Sequence, residues 1–186
     1  YDQREFRIEY PTSYGVGVAY RFPNDKLTVS VDVTCREWDE FVLVDRQTGQ
    51  RTSPITGLPK YLSHHDNAYA VRAGGEYVFV DPTRPAQKYL PSLRAGLFYD
   101  PEPASGRSEW LLGALPDGGE PDDYYGFTLG AGVLIGSRVN LDMAYEFRYG
   151  NDVRRDTLTD PAAPWERGFS EDVTQHSFYL STVVYF

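Results

Sequence analysis

Leu27-Thr-Val-Ser-Val-Asp-Val-Thr-Cys-Arg36 separates by parity into two rows. Leu27, Val29, Val31, Val33 and Cys35 form one, and Thr28, Ser30, Asp32, Thr34 and Arg36 form the other. Successive side chains of an extended chain point to opposite faces, so the stretch predicts a strand with an unbroken apolar face. The acid at the middle of the other row makes the alternation sharp. Upstream, Pro23-Asn-Asp-Lys26 is a turn by its chemistry. Before it, Tyr14, Val16, Val18, Tyr20 and Phe22 alternate with Ser13, Gly15, Gly17, Ala19 and Arg21. Phe6, Ile8 and Tyr10 alternate with Arg7 and Glu9 until Pro11 interrupts the run.

Downstream the pattern repeats. Tyr69 to Phe79 alternates around Arg72 and Glu76, and Leu93, Ala95, Leu97 and Tyr99 face away from Arg94. Tyr125 to Ile135 alternates with glycines and Thr128, and Gly136-Ser137-Arg138 turns the chain into Val139 to Tyr149, whose polar row holds Asp142, Glu146 and Arg148. The chain closes on His176-Ser-Phe-Tyr-Leu-Ser-Thr-Val-Val-Tyr-Phe186, with Phe178, Leu180, Thr182 and Val184 on the face of the terminal Phe186. These segments predict eight strands, give or take one. An alternating strand that ends on phenylalanine resembles the closing strand of a bacterial outer-membrane β-barrel; the plainer alternative is an ordinary edge strand. The resemblance implies that Phe178, Leu180, Tyr185 and Phe186 form the signal read by the barrel assembly machinery.

Connections are of two kinds. Short ones (Pro11, Pro23–Lys26, Asp81–Pro91, Gly136–Arg138) mostly alternate with long polar ones at about 45–66, 101–123 and 150–172. An up-and-down barrel with short periplasmic turns and long outer loops requires that order. The 186 residues suffice for one domain, and no apolar run approaches the ~18 residues of a membrane helix. A barrel hides its membrane signal by alternation. The 15 tyrosines suit positions where a ring lies in lipid and its hydroxyl reaches the headgroups. A single cysteine excludes an internal disulfide, and a net charge of −9 argues against a nucleic-acid partner. The fold predicted is all-β: an antiparallel up-and-down transmembrane β-barrel in the bacterial outer membrane, contacting its lipid and lipopolysaccharide, with 1–186 as one domain or the C-terminal part of one.

Pro11-Thr-Ser-Tyr-Gly-Val-Gly-Val-Ala-Tyr20, then Leu27 to Val33 and Trp38-Asp-Glu-Phe41, resemble the C-terminal half of the FadL family. Asp66 to Tyr77, Leu93 to Pro101, Asp123 to Gly132 and Val139 to Tyr145 continue the resemblance in order. Each motif is loose; the strength lies in order and spacing across nearly the whole chain. The family comprises outer-membrane transporters of long-chain fatty acids and aromatic hydrocarbons, similar in having fourteen strands, a lumenal hatch and a kinked early strand. Neither hatch nor kink has a counterpart here. The eight strands then correspond to the last eight of fourteen, and an independent barrel of eight is the alternative.

Chemistry-bearing residues are few. His64, His65 and Asp66 lie too close in an extended chain to share a metal, and read as a solvated loop. His176 and Ser177 face opposite ways and no Gly-x-Ser-x-Gly elbow occurs, so no enzyme is expected. The carboxylates from Asp100 to Asp123 match no calcium loop and read as solvated. Cys35 falls on the lipid face as a passive small hydrophobe. No metal or cofactor is expected. The functional candidates are the lumenal charges Asp32, Arg36, Arg72, Glu76, Arg94, Asp142, Glu146 and Arg148, four of each sign. They read first as cross-strand ion pairs and second as arginines that greet a carboxylate ligand. The function expected is passive uptake of hydrophobic small molecules; the alternative is a structural or adhesive barrel whose outer loops bind a partner.

Overall fold

The structure, a computed structural model, describes residues 5–55, 57, 59–63, 65–83, 87–103, 121–155 and 169–186. Its strands are β1 (Phe6–Glu9), β2 (Ser13–Arg21), β3 (Leu27–Arg36), β4 (Val42–Asp45), β5 (Arg51–Thr52), β6 (Ala68–Val78), β7 (Tyr89–Tyr99), β8 (Tyr124–Ile135), β9 (Val139–Arg155) and β10 (Phe169–Val184). Two short 3₁₀ turns, Trp38–Glu40 and Lys60–Leu62, are the only helical elements among the described residues.

Seven strands form one antiparallel sheet in the order β2-β3-β6-β7-β8-β9-β10, each paired with its neighbour along the chain within the sheet. Residue-to-residue register carries parity across all of it. Val18, Val31, Ala73, Leu97, Phe127, Phe147 and His176 lie in one cross-strand row, on the apolar face. Gly17, Asp32, Arg72, Phe98, Gly126, Arg148 and Gln175 lie in another, on the opposite face. The sheet has a single layer, so residues such as Val16, Val18, Leu97, Met143, Phe178 and Leu180 are exposed.

The short connections 22–26, 79–88 and 136–138 now alternate strictly with the long ones 37–67, 100–123 and 156–168. The tightest places Gly136 and Ser137 at φ 55° and 58°, and Arg138 N–H donates to Ile135 O at 3.0 Å. Two consecutive residues at positive φ are the signature of a type I′ turn, whose twist matches that of the strands it joins. Glycine enters the left-handed region at little cost, and Ser137 carries the strain.

One predicted strand goes elsewhere. Phe6–Glu9 does not join the large sheet; it pairs antiparallel with β4, and β4 with β5, in a separate three-stranded sheet at the long-loop end. The alternation of Phe6, Ile8 and Tyr10 identified a strand but not its partner. The predicted loop at 45–66 thus holds β5 and a 3₁₀ turn, and is preceded by an unexpected strand, β4. The loop at 150–172 shrinks, because β9 continues to Arg155 and β10 begins at Phe169, whereas the one at 101–123 keeps its extent between β7 and β8; 104–120 and 156–168 lie outside the described residues.

Among the described residues, β2 pairs only with β3 and β10 only with β9, so both outer edges are open. In a seven-stranded meander the first and last strands run the same way. Joining β10 directly to β2 would create a parallel pair. An antiparallel cylinder that contains this sheet needs an odd number of further strands between them, consistent with the even totals of bacterial barrels.

Candidate functional site

All eight predicted lumenal charges share one face of the large sheet. The register sets Asp32 opposite Arg72 and Glu76 opposite Arg94, two cross-strand pairs of opposite sign. Arg36 and Arg72 converge on Asp100, Arg36 Nη1 at 3.3 Å from Oδ1 and Arg72 Nη2 at 3.1 Å from Oδ2. Arg72 also reaches Asp32 at 3.8 Å. Further along, Arg94 bridges two carboxylates, with Nε 2.9 Å from Glu76 Oε1 and Nη1 2.7 Å from Asp142 Oδ1. Asn140 donates to the other oxygen of Asp142. Arg148 donates to Glu102 at 2.6 Å and lies over the ring of buried Tyr124, 3.9 Å from its centroid.

These groups are half-exposed, where an isolated pair contributes at most ~1 kcal/mol. Their effect is collective: Arg72 and Arg94 are each held by two carboxylates, Arg148 by a carboxylate and a ring, and Arg36 shares Asp100 with Arg72, so the face is filled with fixed dipoles. Close packing beneath them is built in. A Cβ on Gly132 would collide with the Asp142 carboxylate, and one on Gly126 with the Phe98 ring. Glycine at those positions lets both side chains lie flat on the strand.

Between the two charged groups runs a row of small residues, Ala19, Ser30, Gly74, Gly96 and Thr128, which ends at Glu146 and Ser177. A concavity of about 540 Å³ opens along it, lined by Ser30, Gly74, Gly96, Thr128, Glu146 and their charged neighbours. No hydrogen bond or ion pair engages Glu146 among the described residues, so of the eight candidates seven are paired and one is not.

Two carboxylates expected to be solvated belong to this face. Asp100 and Glu102 were assigned to an acidic loop; Asp100 instead joins two arginines and Glu102 a third. Both continue the even parity of Arg94 beyond the end of β7, and that was the signal available for them. Asp123 accepts a hydrogen bond from Tyr99 Oη at 2.6 Å, while Glu109, Asp117 and Glu120 lie outside the described residues. His65 is not solvated either: it is buried, its Nε2 3.2 Å from both Ser53 Oγ and Ser63 Oγ, and its backbone N–H donates to Asp39. His64 lies outside the described residues. Among the described residues no three His, Cys, Asp or Glu side chains gather as a metal site. His176 lies on the apolar face, its Nδ1 2.7 Å from Tyr145 Oη, with Ser177 turned to the other side. Cys35 is buried on the apolar face between Tyr14 and Tyr69.

No family model matches the chain, and no curated protein matches it. Among solved structures, the chain is similar to a crystal structure of a Pseudomonas aeruginosa FadL homologue, with a TM-score of 0.55 and 22% identity. The match covers 92% of this chain and 34% of that one, so the chain spans about a third of the solved protein's length. The large sheet has the fold of part of a FadL-type barrel wall.

Proposed function

We propose that this chain is part of the wall of an outer-membrane barrel through which hydrophobic small molecules pass down their gradient. The observation that carries the reading is the apolar face. Tyr89 and Tyr99 cap one strand at both ends, ten residues apart, with Leu93, Ala95 and Leu97 between them. At ~3.3 Å per residue and a strand tilt of ~40°, that separation projects to about 25 Å, the height of the apolar band of an outer-membrane barrel. Tyr14 with Tyr20, and Tyr69 with Tyr77, also bracket apolar rows on β2 and β6 over shorter spans, about 15 and 20 Å by the same arithmetic. An apolar face this exposed needs lipid as its solvent. The opposite face, with its ion pairs and concavity, then lines a wet lumen, and no cofactor or energy coupling enters.

On this reading lipid and lipopolysaccharide surround the apolar face, and Phe178, Leu180, Tyr185 and Phe186, all exposed, form the assembly signal. An adhesive or structural barrel is the second reading, favoured by the compact three-stranded sheet at the long-loop end. Uptake of a radiolabelled, uncharged aromatic hydrocarbon into vesicles whose outer leaflet is lipopolysaccharide separates the two. The full-length protein should accelerate uptake, and Arg72→Ala and Arg94→Ala should change its rate. Equal uptake with and without protein would sink the transport reading.

A further inference from the structure

We propose that this wall selects against anionic cargo and that Glu146 is the specificity-determining residue, favouring amphiphiles with an uncharged or cationic head. The inference rests on the passage reading above and names its substrate class.

The charge balance of the face carries it. Arg36 and Arg72 are balanced by Asp32 and Asp100, and Arg148 by Glu102. Arg94 is shared by two carboxylates, Glu76 and Asp142, which leaves one negative charge in excess. Glu146 supplies a second, with no cation against it among the described residues. Every arginine of the face among the described residues, Arg21 on Asp25 included, therefore already has a carboxylate partner. For Arg94 to greet a ligand carboxylate, it must release Glu76 or Asp142 into the lumen unpaired, exchanging one ion pair for another at the cost of a stranded charge. An anion gains nothing from that exchange.

A cation meets the reverse situation. Glu146 stands at the end of the row of small residues that forms the concavity, where a hydrocarbon tail finds room and where no described side chain bonds the carboxylate. In a narrow lumen the field of an unscreened charge is focused by the low-dielectric wall and biases which ions enter. An alcohol or other neutral head is not repelled and can still donate a hydrogen bond to Glu146.

Two measurements on the full-length protein test this independently. In a Cys35→Ala background, Thr128→Cys places a thiol directly across the β8–β9 pair from Glu146. Its reaction rates with a cationic and an anionic methanethiosulfonate reagent report the local potential without any transport. The cationic reagent should react faster, relative to a free thiol. One elementary charge at roughly 6 Å in water changes each rate about threefold, so Glu146→Gln should lower the cation-to-anion ratio by about tenfold at low salt. An unchanged ratio, or a faster anionic reagent, would overturn the assignment. In lipopolysaccharide-faced vesicles, decyltrimethylammonium should enter faster than decyl sulfate, and Glu146→Arg should reverse the order. Equal or opposite order in the unmodified protein would also overturn it. If neither probe enters faster than through protein-free vesicles while the thiol ratio falls as expected, passage itself fails and the electrostatic assignment stands.

Discussion

The two sheets of this chain treat their apolar side chains in opposite ways. In the three-stranded sheet and its adjoining loop, Val42 is fully buried and Ser53 and Ser63 are buried against His65, as in a small water-soluble core. In the seven-stranded sheet the large side chains of one face are exposed, and the other face is held by ion pairs across neighbouring strands. The same residue types therefore have opposite meanings in the two regions. A valine at 42 excludes water by packing on protein; a valine at 18 is exposed, with no described residue over it, on the face that the proposed barrel turns to lipid.

A charge introduced into each region breaks this comparison most directly. Val42→Asp puts a carboxylate with no solvent access into the small sheet and should cost at least ~4 kcal/mol there. Protease cleavage in 37–67 should rise sharply while the large sheet keeps its resistance. Leu97→Arg lies at 68% exposure, where a water-soluble protein would tolerate it almost freely. On a lipid-facing strand near the midplane it should cost ~2–4 kcal/mol, measured as a shift in the urea midpoint for folding into phospholipid vesicles. A change below ~0.5 kcal/mol would mean that this face is not in lipid.

The polar face gives a smaller effect. Arg94→Ala strands Glu76 and Asp142, but the groups are partly exposed, so the stability loss should be about 1 kcal/mol or less. Gly132→Ala should reproduce part of it by pushing the Asp142 carboxylate off its arginine. A double-mutant cycle between the two substitutions measures the shared part. Strict additivity would show that Gly132 does not act through this pair.

Why one sheet was legible and the other was not follows from the same contrast. A strand with one apolar and one polar face must alternate along its whole length, so Leu27–Arg36 and its counterparts disclose themselves residue by residue. Periodicity does not name a partner, however, and Phe6–Glu9 alternates equally well beside β4. The clue was the order of connections: Pro11 and Pro23–Lys26 are two short ones in succession, which an up-and-down barrel does not allow. The packing of His65 on Ser53 joins residues twelve apart in an irregular segment, where no periodicity exists to read. On the polar face the eight charges were found by parity, while Asp100 and Glu102 were missed because a proline-flanked acidic stretch resembles a solvated loop. Their omission concealed the acidic excess of the face.

The smallest effect concerns the tie between the two regions. Glu40, in the 3₁₀ turn after β3, accepts hydrogen bonds from both the hydroxyl and the backbone N–H of Thr12, which leads into β2. Those bonds, the side-chain one foremost, hold the Glu40 carboxyl below its ordinary value of 4.5. A carboxyl lowered by folding contributes stability that is fully present above its unfolded pKa and disappears as the pH falls through the folded value. The tie should therefore be intact at neutral pH and weaken only below about pH 4.5. Glu40→Gln should raise amide exchange at Glu37 and Phe41 near pH 6.5 and make little difference at pH 3, after correction for intrinsic rates. Because the carboxyl is exposed, the change should stay local and leave the urea midpoint of the large sheet unmoved. A midpoint shift matching that of Arg94→Ala would mean that the two sheets unfold as one unit.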